Sequence, residues 1–159
     1  VKPALAIITV SLALLSARAN CDDKKPLTFE ITMRGEIDDK AATDAGFRTT
    51  YFPYAHLAFT NLRASDGEAA AIHRGYFKTA DDARRYFDWN LDKRAGKIIA
   101  RGDKPRSDGK PVERRAEYLL KSDKESRTWV VTWTDAEVVT IVYAPTLECA
   151  LEIEKQSSN

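Results

Sequence analysis

Three strand-like runs follow one another with almost nothing between them: Val112 to Lys121, Arg127 to Thr134 and Glu137 to Tyr143, joined by Ser122 to Ser126 and by Asp135-Ala136. Links that short have no room for a crossover, so successive strands must run antiparallel and the C-terminal half is predicted to hold a meander. A second hairpin is predicted upstream. Ser65-Asp66-Gly67 reads as a three-residue loop with Gly67 in the left-handed region, returning the chain into Ala69 to Phe77. Ala64 then faces Glu68 and facing positions sum to 132, so His56 lies opposite Tyr76 and His73 opposite Phe59. Even and odd positions occupy different faces, which keeps the two histidines from sharing a metal and leaves them as polar strand residues.

The remaining elements come from periodicity and punctuation. Leu27, Phe29, Ile31 and Met33 alternate with polar residues and predict a strand with one face on a core. Gly35 to Gly46 is polar and reads as a loop, and Phe47 to Asn61 is β-prone with a bend or edge at Pro53. Thr79 with Asp82 opens a helix whose apolar stripe, Ala83, Phe87, Leu91, Ala95 and Ile98, runs to near Gly102. A polar loop from Gly102 to Pro111 follows. Pro145 starts a closing helix with Leu147, Ala150, Leu151 and Glu154 on one side. The order predicts an α+β fold: an antiparallel sheet of six or seven strands with the helices packed on one face.

Composition narrows the class. The chain has 159 residues, 25 basic and 24 acidic, a formal charge of +1 and 43% hydrophobic residues. Those values exclude a disordered tail, a collagen-like rod, a multi-span membrane protein and a polycation. The front reads as a secretion signal: Lys2, an apolar run from Ala4 to Leu15, then Ala17 and Ala19 before a cleavage point, with residues 20–159 forming one domain. The apolar run is too short to span a bilayer, so no membrane span is expected in the mature form. Losing residues 1–19 removes Lys2 and Arg18 and no acid, which leaves 23 basic and 24 acidic groups and a charge of −1. Net charge then selects no partner. In an oxidising compartment Cys21 and Cys149 are expected to pair, closing most of the mature chain into one loop.

No nucleophile elbow, phosphate loop, dinucleotide fingerprint or zinc-protease motif is present, so no cofactor and no metal is expected. Glu30, Glu113 and Glu117 lie on predicted strands. Glu113 and Glu117 share a strand face, but flanked by Arg114 and Arg115 they read as a salt-bridged surface rather than a carboxylate pair. From Lys93 to Arg115 nine basic residues meet three acids, a local charge of +6. Within that stretch Arg101, Lys104, Arg106, Arg114 and Arg115 are the candidate ligand contacts, suited to an anionic glycan or an acidic protein. Nucleic acid is disfavoured, since no aromatic residues interleave with these cations. Arg101-Gly102-Asp103 spells an adhesion tripeptide on an expected loop and is read as chance. Trp129, Val131 and Trp133 alternate on one strand and predict an apolar face under a helix, extended by Val139, Ile141 and Tyr143. The first expectation is an exported, non-catalytic binding module. The alternatives are a carboxylate hydrolase acting on an extracellular or envelope polymer and an inhibitor or immunity-type protein.

Overall fold

A computed structural model describes residues 27–38, 54–104, 113–121 and 127–157. Residues 1–26, 39–53, 105–112, 122–126 and 158–159, on which the expected leader, Cys21 and the expected bend at Pro53 fall, lie outside the described residues. Seven strands and two helices follow in the order β1 (Phe29–Asp38), β2 (Tyr54–Ala64), β3 (Ala69–Phe77), α1 (Ala80–Arg94), β4 (Ala95–Lys104), β5 (Glu113–Leu120), β6 (Trp129–Asp135), β7 (Val138–Ala144) and α2 (Leu147–Ser157). All seven strands form one antiparallel sheet in the order β1-β2-β3-β7-β6-β5-β4. α1 carries the chain from the middle of the sheet to its far edge, and the meander β4 to β7 walks back until β7 pairs with β3.

The hairpin arithmetic holds residue for residue. Leu62 pairs with Ala70, Thr60 with Ile72, Phe59 with His73 and His56 with Tyr76. Its loop closes through the Gly67 and Ala64 backbones at 2.8 Å, with Gly67 at φ +89° where other residues would be strained. The C-terminal meander is antiparallel as its short links require. Thr79 caps α1, its hydroxyl oxygen accepting from the Asp82 N–H at 3.1 Å. Thr146 does the same for α2, accepting from the Cys149 N–H at 3.2 Å.

The helices do not share a face, contrary to the expectation from element order. Ala83, Phe87 and Leu91 of α1 pack on Phe77, Ala116, Tyr118, Val130, Val139 and Ile141. Cys149, Ala150 and Ile153 of α2 pack on Leu62, Ala70, Ile72, Val131, Val142 and Ala144. Adjacent residues such as Val130 and Val131, or Ile141 and Val142, point to opposite faces, so each helix has its own side of the sheet. The central strands are covered twice, and their burial is nearly continuous rather than alternating.

Several local expectations also shift, and β1 itself runs on through Gly35 to Asp38, where a loop was expected. α1 ends at Arg94, and Ala95 and Ile98 belong to β4 instead of the helical stripe. Two β-branched residues, Ile98 and Ile99, favour a strand. Gly96 lets the β5 backbone approach, since a Cβ there would stand 3.3 Å from the Leu119 carbonyl oxygen. Arg101-Gly102-Asp103 is therefore part of a paired strand and not a loop. In β1 a bulge between Ile31 and Met33 breaks the alternation, so Met33 turns to the α1 face and is 42% exposed. Trp129, Val131 and Trp133 do lie on the helix-covered α2 face, but their neighbours across the strand are Ala144, Val142 and Thr140. Val139, Ile141 and Tyr143 serve the other side.

Candidate binding site

The basic cluster selected from sequence is split by the pleat. Arg101 and Arg114 reach Asp88 on α1. Arg101 Nη2 donates to Asp88 Oδ1 at 3.1 Å, and Arg114 Nη1 donates to Asp88 Oδ2. Arg115, one residue on, belongs to the α2 face. Its Nε and Nη2 donate to Glu154 Oε1 and Oε2 at 2.6 and 2.7 Å, and its Nη1 pairs with Glu117 Oε1 at 2.6 Å. Hydrogen bonding to Glu154 holds the guanidinium protonated even above its usual high range. Each of these three cations already has a carboxylate. The Lys104 side chain and Arg106 lie outside the described residues.

The other singled-out residues do not converge. Glu30 is on edge strand β1 and Glu117 on β5, five strands away in the sheet order. At about 4.8 Å per strand that is roughly 24 Å, beyond any carboxylate pairing for hydrolysis. The Glu113 side chain lies outside the described residues. His56 stacks on Tyr76 with ring centroids 4.1 Å apart, while His73 meets Tyr143 edge-on at 5.0 Å on the opposite face. Among the described residues no group of three or more potential metal ligands gathers, and no helix is long and apolar enough to cross a membrane.

The expected Cys21–Cys149 bridge is not seen. Cys149 is a free thiol, 1% exposed, packed between α2 and the sheet, and Cys21 lies outside the described residues. Placing Cys149 on the core side of α2 points its sulfur at Val131, Val142 and their neighbours. Burial, with Glu68 and Asp66 nearby, pushes the thiol up to about 11, so it is protonated at neutral pH and a poor nucleophile.

Beneath α1 a polar cluster interrupts the core. Asn90 Nδ2 donates to the Tyr118 hydroxyl at 2.8 Å, and both residues are fully buried. Arg94 Nη1 donates to the Tyr143 hydroxyl at 3.2 Å. Burial raises both phenols and lowers His73, to whose shift the Arg94 charge adds. These groups fix how α1 sits on the sheet.

The structure adds a cleft that charge counting overlooks. On the α2 face, where the helix no longer covers β1 to β3, a cleft of about 270 Å³ opens beside the C-terminal turn of α2. Phe29, Ile31, Leu62, Ile72 and Ile153 form its apolar lining, and Arg34, Arg74, Thr60 and Gln156 its polar one. Register explains the assembly. The bulge after Ile31 brings Arg34 onto this face opposite Thr60, and Thr60 lies opposite Ile72. Arg74 follows Ile72 by one pleat repeat and pairs with Ala58. Among the described residues neither Arg34 nor Arg74 makes an ion pair or side-chain hydrogen bond. A signal for Arg74 was present in the series Ala70, Ile72, Arg74, which sets a cation in line with core positions. Arg34 gave none, because strict alternation assigns it to the other face. No protein-family model, curated protein or solved structure matches this chain.

Proposed function

We propose that this chain is an exported, non-catalytic binding module that holds a small, partly apolar ligand in the cleft between α2 and strands β1 to β3. The observation that carries this reading is the contrast among arginines. Arg101 and Arg114 share Asp88, and Arg115 is held by Glu154 and Glu117, whereas Arg34 and Arg74 stand over an apolar floor with no carboxylate partner among the described residues. A concave apolar surface with a few convergent polar groups is what a small-molecule site requires. Export is supported by the leader pattern, Lys2, the apolar run to Leu15 and Ala17-x-Ala19.

The test uses the full chain and the fluorescent amphiphile anilinonaphthalene sulfonate. Saturable binding at one site per chain is expected, and Thr60→Trp, which sets a large side chain in the cleft wall between Arg34 and Ile72, should abolish it while leaving the thermal unfolding midpoint in place. Non-saturable binding, or binding indifferent to Thr60→Trp in a folded protein, overturns the reading.

A further inference from the structure

We infer that the ligand of this cleft is a free single-chain amphiphile ending in a carboxylate, its chain on the Phe29, Ile31, Leu62 and Ile72 floor and its head between Arg34 and Arg74. The inference depends on the cleft being the binding site and adds the chemistry of its occupant.

Geometry supplies the head group. Arg34 is level with Thr60 and Ile72 across two strands, and Arg74 is one pleat repeat further along β3. Strand spacing and rise place their Cα atoms about 12 Å apart, a span across which one small anion above Thr60 is within reach of both long side chains. Both line the same cleft. Two guanidinium groups drawn together without a counter-charge repel, and a single oxyanion accepting from both relieves that repulsion through charge-assisted hydrogen bonds. On the same face Arg115 shows what an arginine does where acids are in reach, since it takes two carboxylates. Glu36 is the acid nearest on this face, opposite Ala58 and two residues past Arg34. It is exposed and forms an ion pair with neither arginine among the described residues.

The floor selects the rest of the molecule. Leu62 and Ile72 are each 7% exposed and Ile153 is 2% exposed, so hydroxyls laid on this surface would lose water without gaining partners. That disfavours a sugar acid or nucleotide. A volume of about 270 Å³ equals the liquid share of roughly nine waters, which suits an alkyl chain of eight or so carbons.

Displacement of anilinonaphthalene sulfonate from the full chain by octanoate and by 1-octanol decides the matter. Octanoate should compete about tenfold more tightly or better, the worth of hydrogen bonds to a charged group. In the Arg34→Gln, Arg74→Gln double variant the two ligands should become equal, and Glu36→Gln should tighten octanoate alone. Equal competition by octanoate and 1-octanol in the unmodified chain overturns the carboxylate while keeping the cleft as an apolar site. Failure of both to displace a probe that Thr60→Trp also fails to block overturns the cleft itself.

Discussion

On the face covered by α2, Arg115 lies toward one edge of the sheet and Arg34 and Arg74 toward the other, and the fold treats them in opposite ways. Arg115 is 21% exposed and forked onto Glu154, itself 10% exposed, with Glu117 as a second partner. Arg34 and Arg74 project over the part of the sheet that α2 leaves open, and neither has a carboxylate among the described residues. The difference teaches that a cation's availability is set by what packs against it and not by how many cations surround it in sequence. On this face the arginine drawn from the stretch of highest basic density is an internal tie, while the two open charges over the cleft come from arginines isolated in sequence.

Breaking the tied end should have the largest effect. Arg115→Leu removes the guanidinium that two largely buried carboxylates share and should lower unfolding free energy by about 3 kcal/mol in a denaturant titration. Arg115→Leu combined with Glu154→Leu should recover part of that loss, because the more buried carboxylate goes with its partner and only Glu117 stays behind. A double variant as unstable as the single one would show that packing, not charge, fixes this corner.

Acid provides a second, smaller test on the opposite face, where Arg94 faces an aromatic cluster instead of a carboxylate. His73 is held below its ordinary range by burial and by Arg94, and Tyr143 is its other close partner. The unfolded chain therefore takes up a proton near pH 6.5 while the folded one does not. The contribution of His73 is complete above that pH and is lost as pH falls toward the depressed folded value. His73→Gln should flatten stability against pH below about 6.5. An unchanged slope would place the titrating group elsewhere.

How much of this was legible in the chain depends on which forces act locally. The Ser65-Asp66-Gly67 loop fixed a register that holds to His56, since a turn type dictates pairing and a period of two propagates it. The C-terminal meander and the Thr79 cap followed from equally local rules. The split of the helices between faces was not taken from element order, yet Val138-Val139-Thr140-Ile141-Val142 carries the clue, because a run without alternation marks a strand covered on both sides. The helix end at Arg94 was hidden by Ala95 and Ile98, which extend a helical spacing while pairing with β5 as a strand. The cleft depended on a bulge at Thr32, and nothing in residues 27–38 announces one. Charge density misled because it is blind to Asp88 and Glu154, carboxylates distant in sequence from some of the arginines they bind.

Freeing a tied cluster sharpens the contrast further. Asp88→Asn leaves Arg101 and Arg114 without their shared partner, and because all three side chains are a third or more exposed the stability cost should stay below about 1 kcal/mol. The freed pair should instead bind anions, seen as later elution from heparin at low salt that vanishes as salt is raised. Unaltered elution would mean that an intramolecular carboxylate was never what kept these arginines from ligands.

The smallest stability effect is also the most discriminating. Arg34→Gln and Arg74→Gln remove charges that touch no carboxylate among the described residues, so together they should shift unfolding free energy by no more than about 0.5 kcal/mol, as surface substitutions do. A matched Arg115→Gln variant, by contrast, should fall well outside that range, because one neutral amide cannot satisfy both Glu154 and Glu117. Residues retained for folding report their loss as instability, and residues retained for a ligand report it only when the ligand is present. If the double variant lost about 2 kcal/mol or more, Arg34 and Arg74 would be serving the sheet as Arg115 does, and the two ends of this face would no longer differ in kind.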